Sequence, residues 1–233
     1  MPVCLVDIGN SSTQWCVYDK GLYRDYHAMP TSVFLSAQLP QPPAITRYII
    51  ASVVPDKDAL FTGLNTLFIT ADIITDLTIT LPNPQEIGAD RLATAVGGYY
   101  LAQKKACMII DSGTATTVCY INRHGQYQGG AIMPGLTIAA QALHDYTAKL
   151  PVIWVNPTHA YYGTTTESAI QVGLYRSAVY ALNGFIRAYK HDNPDSRCIG
   201  TGTGVASMRD DLALDYFEPH LIFHGLARIA QLD

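Results

Sequence analysis

Two short stretches of this chain repeat one pattern. Val-Cys-Leu-Val-Asp7-Ile8-Gly9-Asn10-Ser11-Ser12-Thr13 runs into Gln14-Trp-Cys-Val-Tyr, and Cys-Met-Ile-Ile-Asp111-Ser112-Gly113-Thr114-Ala115-Thr116-Thr117 runs into Val-Cys-Tyr-Ile. Each reads as an apolar strand ending in D-x-G, a hydroxyl-rich turn and a returning strand. D-x-G alone is common, so the case rests on the matched flanks and hydroxyl clusters. Two such elements about a hundred positions apart predict a duplicated α/β domain whose equivalent turns face one cleft. The length agrees, since 233 residues at ~150 per domain falls between one and two domains. We place the halves at 1–105 and 106–233.

The remaining periodicity fits this scheme. Tyr48 to Val54 and Leu67 to Ile69 read as short strands. From Ile87 to Gln103 apolar positions recur at helical spacing after Pro82 and Pro84, which predicts a helix joining the halves. Ala106 to Ile110 and Thr117 to Ile121 form the second hairpin, and Gly129 to Gly135 reads as a glycine-bounded turn. Helices are expected at Leu136 to Leu150, Thr165 to Lys190 and Leu221 to Ala230. The middle one has a wide apolar face, Ile170, Leu174, Val179, Leu182, Phe185, Ile186 and Tyr189, which needs neighbours in its own fold or across a dimer.

Composition limits the partners. Hydrophobic residues at 48% and charged residues at 15% describe a compact globular chain. Fifteen Lys and Arg against nineteen Asp and Glu leave a net charge of -4, which supplies no field for nucleic acid or anionic membrane. An anionic ligand must be held locally. The apolar run at the N-terminus stops at Asp7, and no stretch approaches the roughly 18 apolar residues of a membrane span. The expectation is a soluble cytoplasmic protein. Five cysteines without CxxC spacing, mostly within strand-like runs, read as buried reduced thiols.

The D-x-G turns suit phosphate. Gly9 and Gly113 place no Cβ where a ligand would approach the backbone amides. Ser11, Ser12, Thr13, Thr114, Thr116 and Thr117 add uncharged donors, while Asp7 and Asp111 can hold cations. Two such hairpins can clasp a polyphosphate; the plainer reading is a pair of tight turns with solvated side chains. Gly88-Ala89-Asp90-Arg91 adds an acid and a base at a helix start. Asp90 suits the helix dipole there, or can accept a proton from a substrate hydroxyl while Arg91 holds a carboxylate. Other chemistries fare worse. There is no G-x-x-x-x-G-K-[ST] loop, Ser207 stands where Gly202-Thr-Gly204 would need a third glycine, no G-x-S-x-G elbow occurs, and His220 and His224 lack further metal ligands.

Taken in order, the motifs resemble the type III pantothenate kinases, a branch of the acetate kinase, sugar kinase and actin superfamily. The resemblance spans nearly the whole chain: D-I-G-N-S-S at Asp7, A-S-V-V-P at Ala51, N-P-Q-E-I-G-A-D-R at Asn83, D-S-G-T-A-T-T at Asp111, G-G-A-I-M-P-G at Gly129 and G-T-T-T-E-S-A-I-Q-V-G at Gly163. It implies an α/β fold of two related ribonuclease H-like (actin-like ATPase) domains, each a mixed sheet with helices, around a central cleft. It also implies transfer of the ATP γ-phosphate to the primary hydroxyl of pantothenate, the first step of coenzyme A synthesis. By the same resemblance ATP lies on Asp7, Ile8, Gly9, Asn10, Ser11, Ser12, Thr13, Gln14 and Thr114, and pantothenate on Gly88, Ala89, Asp90, Arg91 and Thr166. Asp90 matches the catalytic base, Asp111 the ligand of a monovalent cation (K+ or NH4+), and Asp7 the carboxylate near Mg2+. A homodimer whose substrate pocket draws on the partner is implied as well.

Two positions depart from the family pattern. Leu81 stands where many members carry Tyr, and the usual T-G-G reads Thr201-Gly202-Thr203. The competing reading is a nucleotide-binding transcription-accessory factor without catalysis, and a third is a phosphatase on the same fold. Retention of Asp7, Asp90, Arg91 and Asp111, with no basic patch, argues for the kinase.

Overall fold

The computed structural model describes residues 2–232. The chain forms two compact units, one from Met1–Lys104, Ile121–Gly129 and His220–Asp233, the other from Lys105–Tyr120 and Gly130–Pro219. The first unit thus takes in the end of the chain as well as its beginning.

The first unit is built on a five-stranded sheet of order β3-β2-β1-β4-β5: β1 (Val3–Ile8), β2 (Ser12–Asp19), β3 (Leu22–Pro30), β4 (Arg47–Ser52) and β5 (Thr66–Phe68). β1, β2 and β3 are an antiparallel meander, while β4 and β5 run parallel to β1. β1 is buried on both faces, so it reads as a continuous apolar run. Its Cys4, Val6 and Ile8 pack with Trp15, Phe34, Ile50 and Phe61. Val3, Leu5 and Asp7 alternate onto the other face, the side chains of successive strand residues pointing oppositely.

A single helical turn, α1 (Pro55–Asp58), follows β4, and α2 (Ala89–Leu101) follows a short strand, β6 (Thr78–Ile79). α2 packs on α6 (Leu221–Ile229), and these two helices meet β4 and β1. Backbones touch where α2 and α6 cross. A Cβ on Gly97 would strike the Leu221 carbonyl, and one on Gly225 the Ala93 carbonyl. Beyond the crossing, Tyr100 donates to Asp76 at 2.5 Å, Arg228 pairs with Asp76 at 3.2 Å, and the Arg228 guanidinium lies 4.3 Å over the Tyr100 ring.

The second unit repeats the scheme. β7 (Cys107–Ser112), β8 (Ala115–Ile121), β9 (Gln126–Pro134), β10 (Arg197–Thr201) and β11 (Tyr216–Phe217) join β6 in a six-stranded sheet of order β6-β9-β8-β7-β10-β11, with β6 parallel to β9, β10 parallel to β7 and β11 parallel to β10; the first residues of β9, up to Gly129, count with the first unit. From β9 to β11 this is the strand order of the first sheet, with β6 added at the β9 edge, so the sequence repeat is a repeat of topology. Helices α3 (Leu136–Asp145), α4 (Thr166–Asp192) and α5 (Gly202–Met208) complete the unit. Tyr175, Val179, Leu182 and Ile186 of α4 pack against Met108, Ile110 and Val118. Phe185 is half-buried against the same core, so much of the wide apolar face of α4 is used within its own unit.

Two expectations change, and one strand had none. The helix expected over Leu136 to Leu150 ends at Asp145. Gly129 to Pro134 is not a turn but the second half of β9. Gly130 is there because a Cβ would collide with the Val118 carbonyl of the neighbouring strand, a close backbone approach that mimics a turn signal. The strand β3 was not legible. It is an edge strand, mostly exposed, with a register shift opposite Trp15–Val17 and Asp25 at φ 54, so it has no clean alternation. All five cysteines are free and buried, with burial pushing the Cys198 thiol up to about 11. Among the described residues no helix is long and apolar enough to cross a membrane.

Candidate active site

Asp7 is the penultimate residue of β1, opposite Gln14 of β2 and Ala51 of β4. It is buried, 8% exposed, and its Oδ2 accepts from Gln14 Nε2 at 2.9 Å. The amide fixes the carboxyl group at the carboxyl end of the strand. Ile8 closes β1 and is fully buried, and its carbonyl accepts from Val53 N–H at 3.0 Å. The turn Gly9-Asn10-Ser11 follows, fastened by a 3.0 Å bond from Gly9 N–H to the Ser12 carbonyl. Asn10, Ser11 and Ser12 are exposed, as a ligand-facing turn requires. Thr13 points the other way: it is fully buried and its hydroxyl lies 2.9 Å from that of Thr31. Thr31 already donates to the Gly9 carbonyl at 2.7 Å, so the single proton of Thr13 goes to Thr31.

Gly88, Ala89, Asp90 and Arg91 open α2. Gly88 is the N-cap at φ -55, ψ 140, Ala89 is buried, and Asp90 and Arg91 are half-buried. Asp90 Oδ1 accepts from Arg91 N–H at 2.7 Å, which satisfies one of the orphan amides of the first turn. Burial raises the Asp90 carboxyl above its ordinary 3.8, against the lowering pull of the Arg91 amide and guanidinium. A carboxylate so placed is a better proton acceptor than a solvated one. The position is tied to the D-x-G turn through Val53. Its amide bonds to Ile8, and its side chain lies 3.4 Å from where a Gly88 Cβ would stand. Asp7, the turn and Asp90 thus gather where parallel strands end, the usual place for ligands in α/β sheets.

Gly88 also leaves room for the acid. A Cβ there would collide with Asp90 Oδ1. Gly88→Ala is therefore expected to swing the carboxylate out of place and lower kcat about tenfold or more, with the melting temperature nearly unchanged. Steady-state rates beside a thermal melt check this.

In the second unit Asp111 occupies the same place in β7 as Asp7 does in β1, opposite Thr201 of β10. It is half-buried. Gly202, at φ +84, brings its backbone against the Asp111 carboxylate and the Ser112 carbonyl, where a Cβ would stand 2.5 Å from each. Ser112 and Thr116 bond each other at 2.7 Å, so these two hydroxyls hold the turn. Thr114 is exposed at its tip, and its carbonyl accepts from Gly135 N–H at the start of α3. Thr166 is the first residue of α4 and exposed; Thr165 before it is the N-cap, in a capping box with Ser168. A shallow groove beside it is lined by Val152, Trp154, Thr165, Glu167 and Gln171. Among the described residues no cluster of three or more metal-ligating side chains occurs.

Two sheets that share one five-strand order, with D-x-G turns at the carboxyl ends of β1 and β7, define the actin-like ATPase fold. An archaeal actin homolog superposes with a TM-score of 0.55 at 13% identity, over all of both chains. A Campylobacter jejuni protein described as a conserved candidate Baf family transcriptional activator gives a TM-score of 0.69 at 20% identity, over 98% of each chain. Within this fold the chain belongs to the type III pantothenate kinase family, whose sequence model matches residues 3–188. A curated relative of that name from Legionella pneumophila is 32% identical, covering 99% of each chain.

Proposed function

We propose that this protein is a pantothenate kinase, which transfers the ATP γ-phosphate to the primary hydroxyl of pantothenate and so takes the first step of coenzyme A synthesis. The observation that carries the reading is the half-buried Asp90, its carboxyl raised by burial, beside Arg91 and tied through Val53 to the D-x-G turn. Asp90 accepts the proton of the hydroxyl as its oxygen bonds to the γ-phosphorus. The bond from that phosphorus to the β-γ bridging oxygen breaks, and its electron pair leaves with ADP. Arg91 holds the pantothenate carboxylate, with Gly88, Ala89 and Thr166 shaping the substrate site. The exposed turn from Gly9 to Ser12, with Ile8, Thr13 and Gln14 behind it, receives the phosphates, and Thr114 is a further nucleotide contact.

The donor set fits the ions such a reaction uses. Mg2+ binds mainly through substrate phosphates with one or two carboxylates, and Asp7 is one buried carboxylate rather than part of an all-protein cage. Asp111, packed with the Ser112 carbonyl, offers oxygen donors to a monovalent cation, K+ or NH4+. These ions supply positive charge to the phosphates in a chain without a phosphate-binding lysine loop. We assign the enzyme to the cytoplasm and read its two halves, 1–105 and 106–233, as related domains. It acts as a homodimer whose substrate pocket draws on the partner, as supported by Trp154, Tyr162 and Tyr180, which stay 76%, 78% and 55% exposed on and before α4.

ADP production with and without pantothenate, in K+ and in Na+ buffer, tests the reading. Turnover is expected only with pantothenate, and much faster in K+. Turnover independent of pantothenate would make the protein a phosphatase, and no turnover in any buffer would favour the regulator.

A further inference from the structure

We propose that Thr31, twenty residues beyond the D-x-G turn and outside every motif, is the positioning residue that holds this turn in its phosphate-receiving shape. Three bonds converge on it. Its hydroxyl donates to the Gly9 carbonyl at 2.7 Å, its amide donates to the Ser11 carbonyl at 3.1 Å, and the Thr13 hydroxyl donates to it at 2.9 Å. The first two reach either side of Asn10, the exposed tip of the turn. The third fastens the start of the returning strand.

Thr31 is itself 3% exposed and Thr13 fully buried, so water does not compete for these bonds. It sits just after β3, where β3 pairs Pro30 with Ser12. The edge strand with the weakest sequence signal thus has a reason to run beside the turn. It delivers one hydroxyl to the back of it. With both flanking carbonyls of the turn directed inward to Thr31, the peptide units at Asn10 and Ser11 keep one orientation before any ligand arrives, and this lowers the ordering cost of binding.

The proposal rests on the reading of Gly9 to Ser12 as the turn that meets ATP. Thr31→Val keeps the shape and removes the hydroxyl; Thr31→Ser keeps the hydroxyl. For Thr31→Val, KM for ATP is expected to rise about tenfold with KM for pantothenate unchanged, while Thr31→Ser stays within about twofold of the parent. A general loss of packing would not divide the two substrates in this way. Gly9→Ala, which sets a Cβ 2.9 Å from the Ser12 carbonyl, is run alongside as a direct disturbance of the turn. If Gly9→Ala raises KM for ATP and Thr31→Val does not, the proposal falls and the phosphate reading stands. If neither raises it, both fall. Should Thr31→Val fail to fold, Thr31→Ala, which removes the same hydroxyl, is judged by the same split.

Discussion

Asp90→Asn is expected to lower kcat for phosphorylation of pantothenate by about 10²–10⁴-fold, the range that a positioned general base supplies. KM for both substrates should stay within a few-fold, since the amide keeps the shape and the neighbouring Arg91. The same change should raise the melting temperature. Burial holds the carboxyl of Asp90 above its ordinary value in the folded chain, so the folded state binds this proton more tightly than the unfolded state. Its contribution to stability is therefore present below the unfolded value of 3.8 and lost as pH rises through the folded one. At neutral pH the buried carboxylate costs stability, which the neutral Asn relieves. A kinase that is slower and melts higher is the signature of a residue kept for chemistry. The parent should also lose kcat on the acidic side, with a midpoint above the ordinary aspartate value. Unchanged turnover in Asp90→Asn would remove it as the base.

The parts of this site that were legible in sequence are those whose chemistry is local. Asp7, Gly9 and Ser11 announce a turn by their order, and the recurrence at Asp111, Gly113 and Thr114 announces a duplicated sheet. Five strands of the second sheet repeat the order of the first. Asp90 is legible because an acid and a base open a helix after a glycine. Three features were not. The inward turn of Thr13 depends on Thr31, and nothing in either neighbourhood encodes the partner eighteen residues away. The strand from Gln126 to Pro134 carries Gly130 because β8 lies against it, which from sequence is indistinguishable from a loop. The return of the last helix to the first unit is a property of the tertiary fold alone, since α6 shows the same periodicity wherever it packs.

That return makes Gly225 sensitive although it lies outside the site. α2 carries Asp90 at its first turn, and α6 holds α2 by backbone contact: a Gly225 Cβ would overlap the Ala93 carbonyl, and a Gly97 Cβ would overlap that of Leu221. Neither obstacle is a side chain that can swing aside, so the helices must separate. Overpacking of this kind costs about 1–3 kcal/mol and sometimes more. At about 2–4 °C per kcal/mol for a chain of this size, Gly225→Ala should melt about 2–12 °C below the parent. Because the separation moves α2, activity at a permissive temperature should fall as well. Gly184→Ala is the control. Gly184 lies inside α4 with nothing within 4 Å of its Cβ position, so removing backbone freedom there should stabilise by about 0.4–1 kcal/mol. Opposite shifts from one added methyl group in two helices would show that the close approach of α2 and α6, rather than helix propensity, sets the response. Equal shifts would refute it.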